Sequence, residues 1–176
     1  MLRHLCFALA VLMCLLSSAV AQRTPSSRTA KDQDPQVAAV LKEVSAEQIR
    51  KNIEKLVSFG NRNTLSAADE ESIKKGFGIG AAREWIKSEF ERYSKACGGC
   101  LSVMEDRFTN PVADRIPQPT EIVNVYAVMK GTDPEAAKRI YLVTGHYDSR
   151  NSDTLNITDR APGANDDGSG TAVSLE

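Results

Sequence analysis

His146 and Asp148 stand two residues apart in Thr144-Gly145-His146-Tyr147-Asp148-Ser149-Arg150, and the acidic pair Asp166-Asp167 follows in Ala161-Pro162-Gly163-Ala164-Asn165-Asp166-Asp167-Gly168-Ser169-Gly170. A neutral imidazole is a good zinc ligand, and it commonly gives its other ring N–H to a carboxylate that fixes the tautomer. Successive strand residues point to opposite faces, so a histidine and an aspartate two apart can face the same way. Asp148 is therefore placed to orient His146. Asp166, returned to a helix start through the Pro162-Gly163 turn, can supply an oxygen ligand, one that two metals a few ångströms apart can share. The same acids also suit a plain helix cap, because the macrodipole and the free N–H groups favour carboxylates there. Spacing alone leaves both readings open.

These residues need a scaffold. Ile140–Thr144 is a short continuous apolar run, the pattern of a strand covered on both faces of an α/β sheet. Open α/β sheets carry their sites outside the carboxyl ends of such strands, where His146 lies. Arg150–Asn165 is polar, with Asp, Asn, Pro and Gly, and reads as a loop over that end; a helix opened by Asp166 or Asp167 follows through Gly168, Thr171, Val173 and Leu175. Upstream, Ser45 as N-cap with Gln48 three residues on predicts a helix carrying Ile49, Ile53 and Leu56 on one face and closed by Gly60. Gly60–Ser66 is a loop, and a short acidic helix is expected up to Lys75. A longer helix is predicted from Ile79 to Lys95, with Ala82, Trp85, Ile86, Phe90 and Tyr93 as core residues rather than a stacking platform for a cofactor. Leu101–Phe108 and Ile122–Met129 suit a pleated surface and read as strands. No internal repeat is present, and the sequon Asn156-Ile157-Thr158 matters only in a cell that glycosylates.

Composition bounds the partners. The 176 residues carry 22 Lys plus Arg against 23 Asp plus Glu, a net charge of −1, so no large basic field draws the chain to nucleic acid or an anionic membrane. Residues 1–21 combine Arg3, an apolar run from Leu5 to Leu16 and a small-residue Ala19-Val20-Ala21 end, the pattern of a signal peptide cleaved after Ala21. Export, secreted or periplasmic, is the expected localisation, with no membrane span left after cleavage. Residues 22–34 are polar and are read as a flexible leader, and 35–176 as the start of the folded domain. Without the leader one histidine remains, His146, and two cysteines, Cys97 and Cys100. In an oxidising compartment Cys97-Gly98-Gly99-Cys100 is expected to close a short disulfide; the redox reading is weaker, because that motif opens a helix and this one follows one.

Beyond spacing, Gly-His-Tyr-Asp-Ser and Ala-Pro-Gly-Ala-Asn-Asp-Asp-Gly-Ser-Gly closely resemble the two-zinc aminopeptidase family that also contains glutamate carboxypeptidase, glutaminyl cyclase and the transferrin receptor ectodomain. The resemblance runs from about Ser45 to Glu176, and the loop Gly60–Ser66 is similar to the family's G-x-R loop. It implies that His146 binds one of two zinc ions, that Asp148 orients it, that Asp166 bridges both ions, and that Asp167 supports them through a cis peptide bond. It implies a three-layer α/β/α zinc-exopeptidase fold with a mixed central sheet, truncated here after the helix that follows the first metal-ligand loop. It further implies peptide substrates and release of their N-terminal residues. A glutaminyl cyclase, a carboxypeptidase and a non-catalytic receptor-like domain are the other readings this scaffold allows. The family also needs a Glu-Glu pair, a further Asp and a second His, which are expected beyond Glu176. Glu176 itself matches none of them.

Overall fold

The computed structural model describes residues 34–136 and 138–176; the expected signal peptide, and the expected leader apart from Asp34, lie outside them. The chain divides into two units, Met1–Glu43 and Val44–Glu176. In the first, helix α1 spans Pro35–Leu41, with Asp34 accepting from the Gln36 and Val37 amides and Pro35 pre-set for the first turn.

The second unit holds everything that positions the site. Helix α2 (Ala46–Ser58) starts at Ser45, whose hydroxyl accepts from the Gln48 amide at 3.1 Å. The reciprocal half of a capping box is replaced: the Ser45 amide donates to Glu176 Oε1 at 2.6 Å, while the Gln48 side chain turns to Asn52. Gly60 then leaves the helix at φ +76°, a conformation that suits glycine. Helix α3 (Glu70–Lys75) is capped by Asp69 and stopped by Gly76. Helix α4 (Gly78–Ala96) has no side-chain cap of its own. Its first amides are satisfied by the loop before it, Ile79 N–H by Ser66 Oγ at 2.9 Å and Gly80 N–H by the Ala67 carbonyl at 3.2 Å.

Cys97 and Cys100 form a disulfide across the turn out of α4, as expected. Strands β1 (Leu101–Asn110) and β2 (Thr120–Met129) pair antiparallel, Leu101 opposite Met129 and Asn110 opposite Thr120. A five-residue π-turn, Ala164–Gly168, leads into helix α5 (Ser169–Leu175). Helices and strands share their core: Leu56, Ile86 and Leu175 are buried against Trp85, Phe90, Val125 and Tyr147, while Phe59, Ala81 and Ala82 close on Trp85 and Tyr147 from the other side. Full burial of a side chain such as Leu56 contributes about 1.5–3 kcal/mol. Trp85 is thus a core residue. Among the described residues no helix is long and apolar enough to cross a membrane.

The fold class is α/β, and of the expected sheet the described residues form this antiparallel pair. One expectation is corrected. Ile140–Thr144 enters no ladder, and Ile140, Tyr141, Leu142 and Val143 are 88%, 87%, 81% and 70% exposed. A strand covered on both faces needs paired edges and packed layers on each side. The described residues bring neither to this run.

Candidate metal centre

Immediately after that run the chain is held tightly. Gly145 lies so close to α5 that a Cβ there would sit 2.3 Å from the Thr171 nitrogen and 2.4 Å from the Gly170 carbonyl carbon. Tyr147 points inward, its hydroxyl donating to the Val123 carbonyl of β2 at 2.6 Å, and burial pushes its phenol up to about 12. His146 and Asp148, on either side of it, point outward together. The strand-like alternation expected of these residues therefore survives without a ladder.

Both ring nitrogens of His146 face carboxylates: Nδ1 lies 3.0 Å from Asp148 Oδ1 and Nε2 lies 3.1 Å from Asp166 Oδ1. A neutral imidazole carries one N–H and can donate to one of these oxygens only. The other contact is favourable only with a cation at the ring, a proton or a metal. Partial burial opposes the charged form, but the charge and hydrogen bond of Asp148, with the charge of Asp167, outweigh it and hold the imidazole above its ordinary range. A metal at Nε2 must displace that proton.

Asp148 is steadied in turn by the Thr64 hydroxyl, which donates to Oδ2 at 3.3 Å. Asp167, joined to Asp166 by a cis peptide bond, has both oxygens committed. Oδ1 accepts from the Gly170 amide at 2.9 Å and Oδ2 from the His146 amide at 3.1 Å, so this side chain ties the start of α5 to the histidine. The structure thus brings His146, Asp148, Asp166 and Asp167 together, while Cys97 and Cys100 serve the α4–β1 turn elsewhere.

The donor set fits a zinc ion. Two ligand atoms held about 2.0–2.1 Å from one tetrahedral ion lie about 3.3 Å apart, close to the 3.1 Å between His146 Nε2 and Asp166 Oδ1. Asp166 is exposed and its second oxygen takes no hydrogen bond from the described residues. Asp148 on Nδ1 matches the carboxylate that orients a metal-binding imidazole. Among the described residues no three His, Cys, Asp or Glu side chains converge on one point, so this is a pair of donors and their supports. Glu176 is engaged at the start of α2 and stands outside them.

Sequence reasoning missed what supports these residues. The loop after α2 is buried: Asn61 and Arg62 are 0% exposed, Asn63 6% and Ser66 7%. Asn61 Nδ2 donates to the carbonyls of Asn156 and Asp159, and Asn63 Nδ2 to that of Thr154. Arg62 sends Nε to the Tyr147 carbonyl at 2.8 Å, Nη1 to those of Leu56 at 2.7 Å and Pro162 at 2.9 Å, and Nη2 to that of Gly163 at 3.1 Å. Its backbone pairs with Ser149, whose hydroxyl donates to the Ala161 carbonyl at 2.6 Å. The resemblance of Gly60–Ser66 to a G-x-R loop marked the segment, and an arginine between two asparagines in an otherwise neutral loop was the signal for its burial.

Residues 124–176 match Peptidase family M28. The chain is similar to a probable zinc metalloprotease of Leptosphaeria maculans, 46% identical over 143 residues that cover 81% of this chain and 32% of the relative. It is 48% identical to one of Pyrenophora teres f. teres, covering 81% of this chain and 28% of the relative. A probable leucine aminopeptidase of Trichophyton verrucosum is 32% identical over 133 residues, 76% of this chain and 29% of that protein. The chain spans about a third or less of the length of these curated relatives. No solved structure matches.

Proposed function

Residues 124–176 belong to peptidase family M28, and from that premise we propose that the whole protein is a zinc-dependent exopeptidase that releases N-terminal residues from peptides. The observation that carries this reading is His146 held between Asp148 on one nitrogen and Asp166 on the other. His146 and Asp166 would hold zinc, with Asp166 shared between two ions, as in the family this chain resembles. When bound, zinc supplies Lewis-acid polarisation of the scissile carbonyl and a nucleophilic water near neutral pH.

The chain's own residues do the rest of what is assigned to them here. Asp148 accepts a hydrogen bond from Nδ1–H and so leaves the Nε2 lone pair free for the metal; Thr64 fixes Asp148; Asp167 fixes the His146 backbone. No base is assigned among these residues. The names of the metalloprotease relatives support peptide hydrolysis, and that of the more distant relative supports an aminopeptidase. The leader motif in residues 1–21 supports export.

A panel of aminoacyl-nitroanilides, run beside an N-terminal glutaminyl peptide and a C-terminally labelled peptide, tests the reaction on the whole protein. Zinc-dependent release from the nitroanilides is expected. Cyclisation of the glutaminyl peptide, or release of the C-terminal residue alone, would replace the aminopeptidase with another reaction of the scaffold. A protein that holds no zinc and acts on none of them would be a binding domain.

A further inference from the structure

Arg62 is 0% exposed, and among the described residues its guanidinium donates to backbone carbonyls rather than to a carboxylate. A buried guanidinium without a counter-ion is costly, and a well-packed apolar side chain of similar volume often serves the fold as well or better. Burial has pulled the group's affinity for its proton down to a pKa of about 10, against a weaker pull upward from the charge of Asp148. Packing alone therefore gives a poor reason for an arginine here.

Its acceptors give a better one. Nε holds the carbonyl of Tyr147, the residue between His146 and Asp148; Nη1 and Nη2 hold those of Pro162 and Gly163, at the start of the turn that delivers Asp166. The second Nη1 bond anchors the fork to the end of α2 at Leu56. A single rigid plane thus spans both segments that bear metal donors. Gly163 lets them close on it: at φ +43° a Cβ there would meet Ser149 Cβ at 2.5 Å, the Asp166 carbonyl at 2.8 Å and Arg62 Nη2 at 3.2 Å. Neutral carbonyls in a fixed fan suit the planar fork, whereas a lysine ammonium presents one point charge on a flexible stem.

We propose that Arg62 is a positioning residue of the metal centre, setting the separation of His146 Nε2 and Asp166 Oδ1 by clamping the backbone on both sides. This inference rests on the zinc reading above. It concerns preorganisation, since donors held at the right separation before the metal arrives spend less of the binding energy on ordering.

The whole protein tests it, as wild type, Arg62→Lys and Arg62→Met. Zinc affinity is measured by chelator competition well below each variant's unfolding temperature, the cobalt-substituted forms give ligand-field spectra, and metal-free unfolding is followed in parallel. Both variants are expected to fold with a lowered metal-free midpoint, to lose at least about tenfold in zinc affinity, and to shift the cobalt bands, Met more than Lys. Ser94→Ala, which frees the Leu101 carbonyl at the α4–β1 turn and leaves the fork untouched, is expected to keep zinc affinity within about threefold of wild type. A folded Arg62→Lys with wild-type zinc affinity and cobalt bands overturns the proposal. So does failure of both Arg62 variants to fold, which would make Arg62 a residue of the fold alone. Wild-type protein that binds no zinc overturns the zinc reading itself, a result distinct from either.

Discussion

Residues 140–143 and residues 145–149 are neighbours in the chain and opposites in the structure. The first four are apolar and 70–88% exposed, without a ladder. The next five are fastened by Gly145 against α5, Tyr147 against β2, Asp167 against the His146 amide, and Ser149 and Tyr147 against Arg62. Sheet pairing is the usual means of aiming residues at the end of a strand. Here the aim is set by side chains that bond to backbone carbonyls and amides across three loops. The proposed metal donors, His146 and Asp166, and the residues that hold them are therefore assembled within the described residues, although the strand expected to lead into them is not.

Four changes break or sharpen that contrast. The largest effect is expected from Asp166→Asn, which removes a charged donor: activity of the whole protein should fall to background, and zinc affinity by more than about 100-fold, beyond the range of supporting residues. Asp148→Asn leaves the donors in place but loosens the ring's orientation, so zinc affinity should fall by about 10–100-fold. Isothermal titration with the metal-free protein reads both, and equal losses would erase the distinction between donor and support.

Gly145→Ala strikes the fastened segment itself. A Cβ at 2.3 Å from the Thr171 nitrogen must push α5 away, at a cost of about 1–3 kcal/mol read from urea unfolding. A midpoint unchanged from wild type would mean that α5 yields freely there. The smallest effect belongs to the exposed run: in residues 22–176 expressed alone, Leu142→Ser should change stability by no more than about 0.5 kcal/mol, while reducing aggregation seen by light scattering, because an unpaired apolar edge invites association. A loss of more than about 2 kcal/mol in urea unfolding would show that the run is covered after all.

Much of this was legible in the chain. The Ser45 cap, the Gly60 stop and the apolar periodicity of Ile79–Lys95 are local signals, and α2 and α4 follow them within a residue or two. The paired strands and the Cys97–Cys100 bridge follow from composition and separation. The types and spacing of His146, Asp148 and Asp166 mark them as candidates but equally allow a plain helix cap; their metal roles, and that of Asp167, come from the resemblance of the two motifs. Two features were not readable in this way. The continuous apolar run at Ile140–Thr144 signals a covered strand, but coverage is a property of neighbours, and the described residues supply none. The Arg62 fork joins positions 85 to 101 residues apart through backbone carbonyls, which every residue possesses, so no periodicity or residue pairing marks it.

The central claim is that His146 and Asp166 are zinc donors held ready by their surroundings. The zinc content of the whole protein, purified without added metal and compared with His146→Ala, tests it most directly. Two zinc ions per chain in the wild type, with loss of metal in a folded His146→Ala, is the predicted result. A wild type without zinc, or a His146→Ala variant that keeps all of it, would contradict the account.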